Sequence, residues 1–353
     1  MRETLIRETP EGLYCEAGDF HVDPWLPVPR AVVTHAHADH AKPGCGRYLA
    51  AEDGRAVLEC RLGASALIDT LGYGESIALA AVRVSLHPAG HILGSAQVRI
   101  EHRGEVCVVS GDYKTDPDPT CRRFELVRCH TFVTESTFGL PIFRWPAEAA
   151  LWQSMNEWWR TNASDGRASV VFAYALGKAQ RVLAGLDAGI GPIFCHGGVA
   201  AMNDAYRQAG AALPNATYVG AATDRRNWGG ALILAPPSAM GSVWLRRFGD
   251  LSSAFVSGWM LLRGARRRRT VDRGFALSDH ADWPALQHVI RATGAEQVFV
   301  THGHVLPMVR WLNEQGMAAL PLRTEFEGEQ DEGEAILAPG PQSAVNQDGT
   351  VDR

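Results

Sequence analysis

The sequence has no CxxC pair, no apolar run long enough to cross a bilayer and no excess of positive charge. Each absence excludes something. The seven cysteines (Cys15, Cys45, Cys60, Cys107, Cys121, Cys129 and Cys195) are odd in number and irregular in spacing. They suit neither a disulfide framework nor a thiolate zinc site, and they fit a reducing, cytoplasmic setting. No stretch approaches the roughly 18 uncharged apolar residues of a membrane span. The opening MRETLIRETPEG is charged and lacks the apolar centre of a secretory signal. A formal net charge of -5 argues against non-specific coating of nucleic acid, while a local basic groove remains open.

What remains is a globular composition, 46% hydrophobic and 21% charged, in 353 residues, enough for two domains. Histidine is the informative residue: there are thirteen, several in short polar clusters with aspartate. Five times a β-rich apolar run hands over directly to acids or histidines. AVVT from Ala31 leads into HAHADH, and Val82–Leu86 into HPAGHILGS. VCVVS at Val106–Ser110 leads into GDYKTDPDP, TFVT at Thr131–Thr134 into EST, and QVFVT at Gln297–Thr301 into HGH. Polar loops at strand ends are where α/β enzymes place their sites, because the sheet fixes the backbone while the loop stays accessible. Ala147–Arg160 and Lys178–Leu186 carry apolar residues at helical spacing. With VVFAYAL, LILAPP and AFVSGW, they predict an inserted α/β domain over residues 144–262. It divides a first domain into parts at 1–143 and 263–323. From Thr324 onward, acid, Gly, Pro and Gln dominate, and a flexible tail over 324–353 is expected.

HAHADH supplies His35, His37, Asp39 and His40 within six residues at a strand end. Imidazole and carboxylate are the usual non-thiolate ligands of zinc and similar divalent ions. His35 and His37 can face one ion while Asp39 and His40 face a second. A lone histidine here would read as part of a solvated loop; this spacing does not. His91 and Asp112, each after a further strand, are the candidates to complete the sites, with the Asp112 carboxylate bridging two ions roughly 3.5–4 Å apart. Asp23, in FHVDPW, is placed to accept a hydrogen bond from a ligand histidine. The alternative for Asp23 is a plain Asp-Pro turn.

THAHADH, AGHILGS and SGDY, in that order, resemble the metallo-β-lactamase superfamily. Glu135 in ESTFG, His280 in LSDHADW and His302 in VTHGH resemble the three further motifs of its β-CASP group. That group includes the Artemis-type DNA nucleases and the RNA nuclease of the cleavage and polyadenylation factor. YALGKAQ and APPSAMGS extend the resemblance into the inserted segment, so that it covers residues 10–320. GLYCEAGDFHVDPW, GARRRR and GFALSDHADW are similar to the bacterial ligase-associated DNA exonucleases. The resemblance implies an α/β fold: a metallo-β-lactamase αββα sandwich with an inserted β-CASP domain. It implies DNA as substrate and a repair setting with DNA ligase and helicase as functional neighbours. His35, His37 and His91 would hold the first metal with Asp112 bridging, and Asp39, His40 and His302 the second. Zinc is the expected ion, with manganese as the alternative. One position departs. Artemis-type enzymes carry an apolar residue where His302 stands, and RNA-cleaving members carry histidine.

The implied reaction is phosphodiester hydrolysis by a hydroxide bound between the two metals, with Asp39 in the catalytic set. His280 would act as general acid, oriented by Glu135. Plainer alternatives are a helix-start histidine capped by Ser278 or Asp279, and an exposed strand-end acid. For substrate grip, Arg266, Arg267, Arg268 and Arg269, with Arg263 and Arg273 nearby, form the densest positive run. Lys178 follows Gly177 at an apparent helix start, where free backbone N–H groups favour phosphate. Trp158, Trp159 and Trp228 read as core residues before base-stacking ones. The remaining seven histidines read as structural, His304 being the nearest to the site. Competing functions are an RNA-processing ribonuclease, a small-molecule metallohydrolase on the same fold, and an inactive nucleic-acid-binding subunit. The last two are disfavoured by the Glu135 and His280 pair and by the full set of ligand-competent side chains.

Overall fold

The computed structural model describes residues 4–220, 228–264 and 270–323. In chain order, six short strands build the first sheet: β1 (Arg7–Thr9), β2 (Gly12–Cys15), β3 (Phe20–Val22), β4 (Arg30–Val32), β5 (Arg47–Ala51) and β6 (Ile68–Leu71). The first three form an antiparallel meander, and β3 through β6 run parallel. Helix α1 (Arg55–Leu62) makes the crossover between β5 and β6. The second sheet begins as a meander of β7 (Ser76–Leu79), β8 (Val82–Pro88), β9 (Ala96–His102) and β10 (Glu105–Val109). It gains β11 (Thr131–Ser136) parallel to β10.

The chain then leaves this sheet and builds a third. After α2 (Glu148–Ser164) come β12 (Ala168–Phe172), α3 (Lys178–Gly185), β13 (Ile193–Cys195), α4 (Gly197–Gln208), β14 (Thr217–Tyr218), β15 (Leu232–Ala235), β16 (Leu251–Val256) and β17 (Arg273–Phe275). Their order is β14-β13-β15-β12-β16-β17, and every pairing is parallel. β12 and β15 are buried at every position, which explains why VVF in the first and LILA in the second are unbroken apolar runs rather than alternating ones. The chain returns through α5 (Trp283–Thr293), β18 (Gln297–Gly303), α6 (Val305–Glu314) and β19 (Ala318–Pro321). β18 slots beside β11, completing the order β19-β18-β11-β10-β9-β8-β7.

The first two sheets pack face to face through Val22, Val32 and Leu49 on one side and Val84, Val98 and Val109 on the other. Leu286 and Ile290 of α5 with Met308 and Leu312 of α6 cover the outside of the second sheet. Val57 and Leu58 of α1 cover the outside of the first, joined by Met202 and Tyr206 of α4. The result is a helix–sheet–sheet–helix sandwich carrying a separate parallel α/β unit, in agreement with the expected α/β class. The unit reaches further than expected: β17 pairs with β16, so the third sheet extends past residue 262 to Phe275. The expected flexible tail over 324–353 and the run Arg266–Arg269 lie outside the described residues. All seven cysteines are free. Among the described residues, no helix is long and apolar enough to cross a membrane.

Trp158 and Trp159 belong to the core of the inserted unit, and Trp228 is buried on the opposite face of the same sheet. Trp159 is fully buried, and its Nε1 donates to the Gly230 carbonyl at 2.9 Å. Trp159→Ala is expected to cost about 3–5 kcal/mol through lost apolar burial and the cavity left behind. Chemical denaturation followed by far-UV circular dichroism measures this; a loss below about 1 kcal/mol would contradict the packing described.

Candidate metal centre

The strand-end loops of both stacked sheets meet at one place. His35, His37 and His91 with Asp112 form one group of converging ligand atoms, Asp39, His40 and His302 a second, and Asp112, Glu135 and His280 a third. Within each group the atoms lie within 4.8 Å of one another. Asp112 joins the groups: its Oδ2 is 3.5 Å from His35 Nε2, 3.6 Å from His40 Nε2, 3.8 Å from His91 Nε2 and 3.9 Å from His280 Nδ1. HAHADH follows β4, His91 follows β8, Asp112 follows β10, and His302 lies near the end of β18. Glu135, at the end of β11, is fully buried rather than exposed.

The outward nitrogens of the rings are tied down, and this fixes the inward ones. His37 Nε2 donates to the Leu176 carbonyl at 3.3 Å, and His91 Nδ1 donates to the Asp279 carbonyl at 2.8 Å. Asp23 Oδ2 accepts from His40 Nδ1 at 2.7 Å and from Thr34 Oγ1 at 2.6 Å, while Thr34 N donates to Oδ1 at 2.7 Å. Thr34 Oγ1 in turn accepts from His35 Nδ1 at 3.1 Å. Asp23 therefore holds one ligand histidine directly and a second through Thr34. Neutral rings tied this way present bare lone pairs inward. His37 Nδ1 stands 3.1 Å from both His35 Nε2 and His91 Nε2. Three acceptors facing one another repel unless a cation lies among them. His40 Nε2, Asp39 Oδ1 and Asp112 Oδ1 are likewise buried without a hydrogen-bond partner. The donor set, neutral imidazole plus carboxylate, fits a divalent ion of the zinc type.

Burial, with the neighbouring rings adding to it, holds His35 and His91 well below the usual imidazole range. Burial likewise lowers His37 to about 3 and His302 to about 4. His40 is the opposite case. Burial opposes its charge, but Asp39, Asp112 and Asp23 together raise it well above the ordinary value. Burial pushes Asp112 up to about 7, against the pull of His40 and with Glu135 adding to the rise.

Glu135 and His280 form a pair of their own. His280 Nδ1 donates to Glu135 Oε2 at 2.9 Å, and Tyr113 N donates to Oε1 at 2.7 Å. Burial opposes ionisation of Glu135, but the His280 ring holds its carboxyl below the usual range. His280 does not start a helix. Asp282 caps α5, accepting from Ala285 N at 3.0 Å, and Ser278 Oγ accepts from His280 N at 3.1 Å. His302 sits in the left-handed region at φ 52, followed by Gly303 at φ 70. A Cβ on Gly303 would lie 2.4 Å from Thr137 Cα, so glycine is required there.

Lys178 is placed differently from the expectation. It does start α3, after Gly177, but it is 1% exposed rather than on the surface. Its Nζ lies 3.6 Å from Asp279 Oδ2 and 4.8 Å from the Tyr174 ring centre. A buried cation must be paired, and here the partner is protein rather than a solvent-side phosphate. Arg263 and Arg273, flanking the undescribed arginine run, are exposed. Sequence reasoning passed over Arg181 and gave Asp279 only a capping role, although these residues surround the ligands from behind; the acid between serine and histidine in SDH was the one available signal.

No family model matches the chain. It is 31% identical over 311 residues, 87% of its length, to a probable DNA ligase of Opitutus terrae, and covers 30% of that protein. It is 30% identical over 125 residues to endoribonuclease YSH1 of Gibberella zeae, covering 34% of this chain and 14% of that one. The chain thus spans less than a third of these relatives. These likenesses support the family resemblance carried by the motifs. A crystal structure of a protein of unknown function from Enterococcus faecalis V583 shares the fold, with a TM-score of 0.56 at 13% identity over 84% of this chain and 80% of that one.

The buried rings have a consequence for acid stability. A histidine whose folded pKa is depressed binds fewer protons in the folded than in the unfolded state. Stability therefore falls as pH drops below the unfolded value near 6.5. His35, His37, His91 and His302 act in this sense, and His40 and Asp112 in the opposite one. Chelator-treated protein is expected to lose thermal midpoint steadily between pH 6.5 and about 4. A midpoint that holds or rises across that window would contradict four neutral buried rings.

Proposed function

We propose that the chain is a metal-dependent nuclease of the metallo-β-lactamase superfamily and its β-CASP group, hydrolysing DNA as an exonuclease in a repair setting. The observation that carries this reading is the buried Glu135–His280 pair, set against the Asp112 carboxylate that belongs to the first ligand group and lies 3.6 Å from His40 of the second. A small-molecule hydrolase would need the ligand groups but not this pair. His35, His37, His91 and Asp112 would hold one divalent ion, and Asp39, His40, His302 and Asp112 another, with zinc favoured by the donor set and manganese the alternative. When bound, two such ions supply an activated water at neutral pH and neutralise charge on the phosphoryl oxygens.

The protein's own residues do the rest. Glu135 fixes the His280 ring and compensates the charge that the ring carries when both nitrogens are protonated. His280 then has a proton to give to the leaving oxygen from Nε2. Tyr113 N holds Glu135 in place from the other side. Asp23 fixes the His40 ring directly and, through Thr34, keeps His35 in the tautomer that presents a bare nitrogen inward. Arg266–Arg269, with the exposed Arg263 and Arg273 on either side, would grip the phosphate backbone by salt-sensitive contacts. The likeness to a ligase-named protein over most of this chain favours DNA. RNA processing is the second reading, supported by the likeness to an endoribonuclease and by a histidine at position 302.

End-labelled single-stranded DNA and RNA of matched sequence, incubated with zinc or manganese, separate these readings. DNA is expected to be cut faster, with products that shorten progressively. His280→Ala is expected to lose about 10²–10⁴-fold in rate while keeping its metal, and Asp39→Ala to lose both. If the two variants cut as fast as the unaltered protein, the assigned site is wrong.

A further inference from the structure

We propose that the junction between β12 and α3, residues 176–181 of the inserted unit, is a working part of the first metal site and orients two of its ligands. The inference rests on the metal reading of the site and is independent of which nucleic acid is cut. The inserted unit is not simply docked beside the sandwich. It contributes the Leu176 carbonyl, which accepts from His37 Nε2 at 3.3 Å. It also contributes the two cations that grip Asp279, whose own carbonyl accepts from His91 Nδ1 at 2.8 Å.

The grip is built from opposite charges out of reach of solvent. Arg181 is 3% exposed. Its guanidinium meets Asp279 Oδ1 at 3.0 Å and Asp118 Oδ2 at 3.3 Å, and it also donates to Glu148 and to the Ser278 carbonyl. One turn earlier, Lys178 takes the other Asp279 oxygen at 3.6 Å. Asp279 is therefore held from both sides by a single helix. A carboxylate buried between two cations in this way, one on each oxygen, is held in position far better than a surface pair can be. The residue after Asp279 is His280, so the same grip also sets where the proposed acid begins.

The junction is locked at its other end too. Gly177 has φ 87, and a Cβ there would lie 2.3 Å from Ile92 Cγ2, next to His91. Gln180 Oε1 accepts from Gly177 N at 2.8 Å, and Gln180 Nε2 donates to Asn203 on α4 at 2.8 Å. Thus His37 and His91, but neither His35 nor any ligand of the second group, take their outward hydrogen bonds from the junction or from the residue it grips. Groups that orient ligands in this way typically alter metal affinity 10–100-fold.

The test is zinc binding by the whole chain, measured by competition with a chromophoric chelator, and it reads no nuclease activity. Two zinc ions are expected for the unaltered protein. Arg181→Lys keeps the charge but loses the fork, and Lys178→Met removes one of the two cations. Each is expected to weaken one zinc site 10–100-fold and leave the other unchanged. Trp159→Ala, which destabilises the same unit through its core and its bond to Gly230 and leaves the cations on Asp279 in place, is expected to keep both affinities. Should Arg181→Lys not fold, Lys178→Met is read in the same way. Wild-type affinity at both sites in folded variants would overturn the proposal, as would equal weakening of both sites or weakening by Trp159→Ala. Failure of the unaltered protein to take up zinc, or manganese in its place, would instead overturn the metal reading beneath it.

Discussion

Three converging imidazole nitrogens, with His37 Nδ1 standing 3.1 Å from both His35 Nε2 and His91 Nε2, are the constraint around which this protein is organised. Nothing in a folded chain places bare acceptors so close unless a positive charge is to stand between them. Everything that touches those rings from outside serves to keep them bare: a carbonyl behind His37, a carbonyl behind His91, and a carboxylate-and-hydroxyl relay behind His35 and His40. The stacked sheets provide the rigidity, because each ligand leaves from the end of a strand whose backbone cannot drift.

The division of labour between the two sheets is asymmetric. The first supplies a single dense loop, HAHADH, after β4. The second supplies ligands one at a time, from the ends of β8, β10 and β18, and the Glu135 carboxylate from β11. A point where two groups share Asp112 can exist only where both sheets turn their ends the same way. It is also where burial pushes Asp112 up to about 7, a proton that a bound cation would displace.

Much of this was legible in the sequence, and the reasons are local. A strand followed at once by HAHADH, SGDY or THGH advertises ligands, because few other roles suit clustered histidine and aspartate beside a β-run. The inserted α/β unit was legible in VVFAYAL and LILAPP, whose apolar runs suit strands covered on both faces. Lys178 was misplaced because a lysine after a glycine at a helix start looks the same whether it faces solvent or a buried aspartate. Arg181 and Asp118 were invisible for a related reason. They lie 63 positions apart and meet only through the packing of α3 against a loop of the sandwich, and no periodicity records that. The extension of the third sheet to Phe275 was missed because Arg273–Phe275 is only three residues long.

The chain leaves the second sheet after β11 and rejoins that sheet at β18, by way of the inserted unit and α5, and these strands are hydrogen-bonded neighbours. Ser136 Oγ reaches the His302 carbonyl across 166 positions of chain. Closing so long a loop costs little more than closing one of half the length, because the entropy grows only with the logarithm of the span. A segment of almost any size can therefore be spliced between these strands without unseating the register that delivers His302. The architecture leaves the host indifferent to its guest's length, and makes it sensitive only to the few atoms that the guest lays against the ligands.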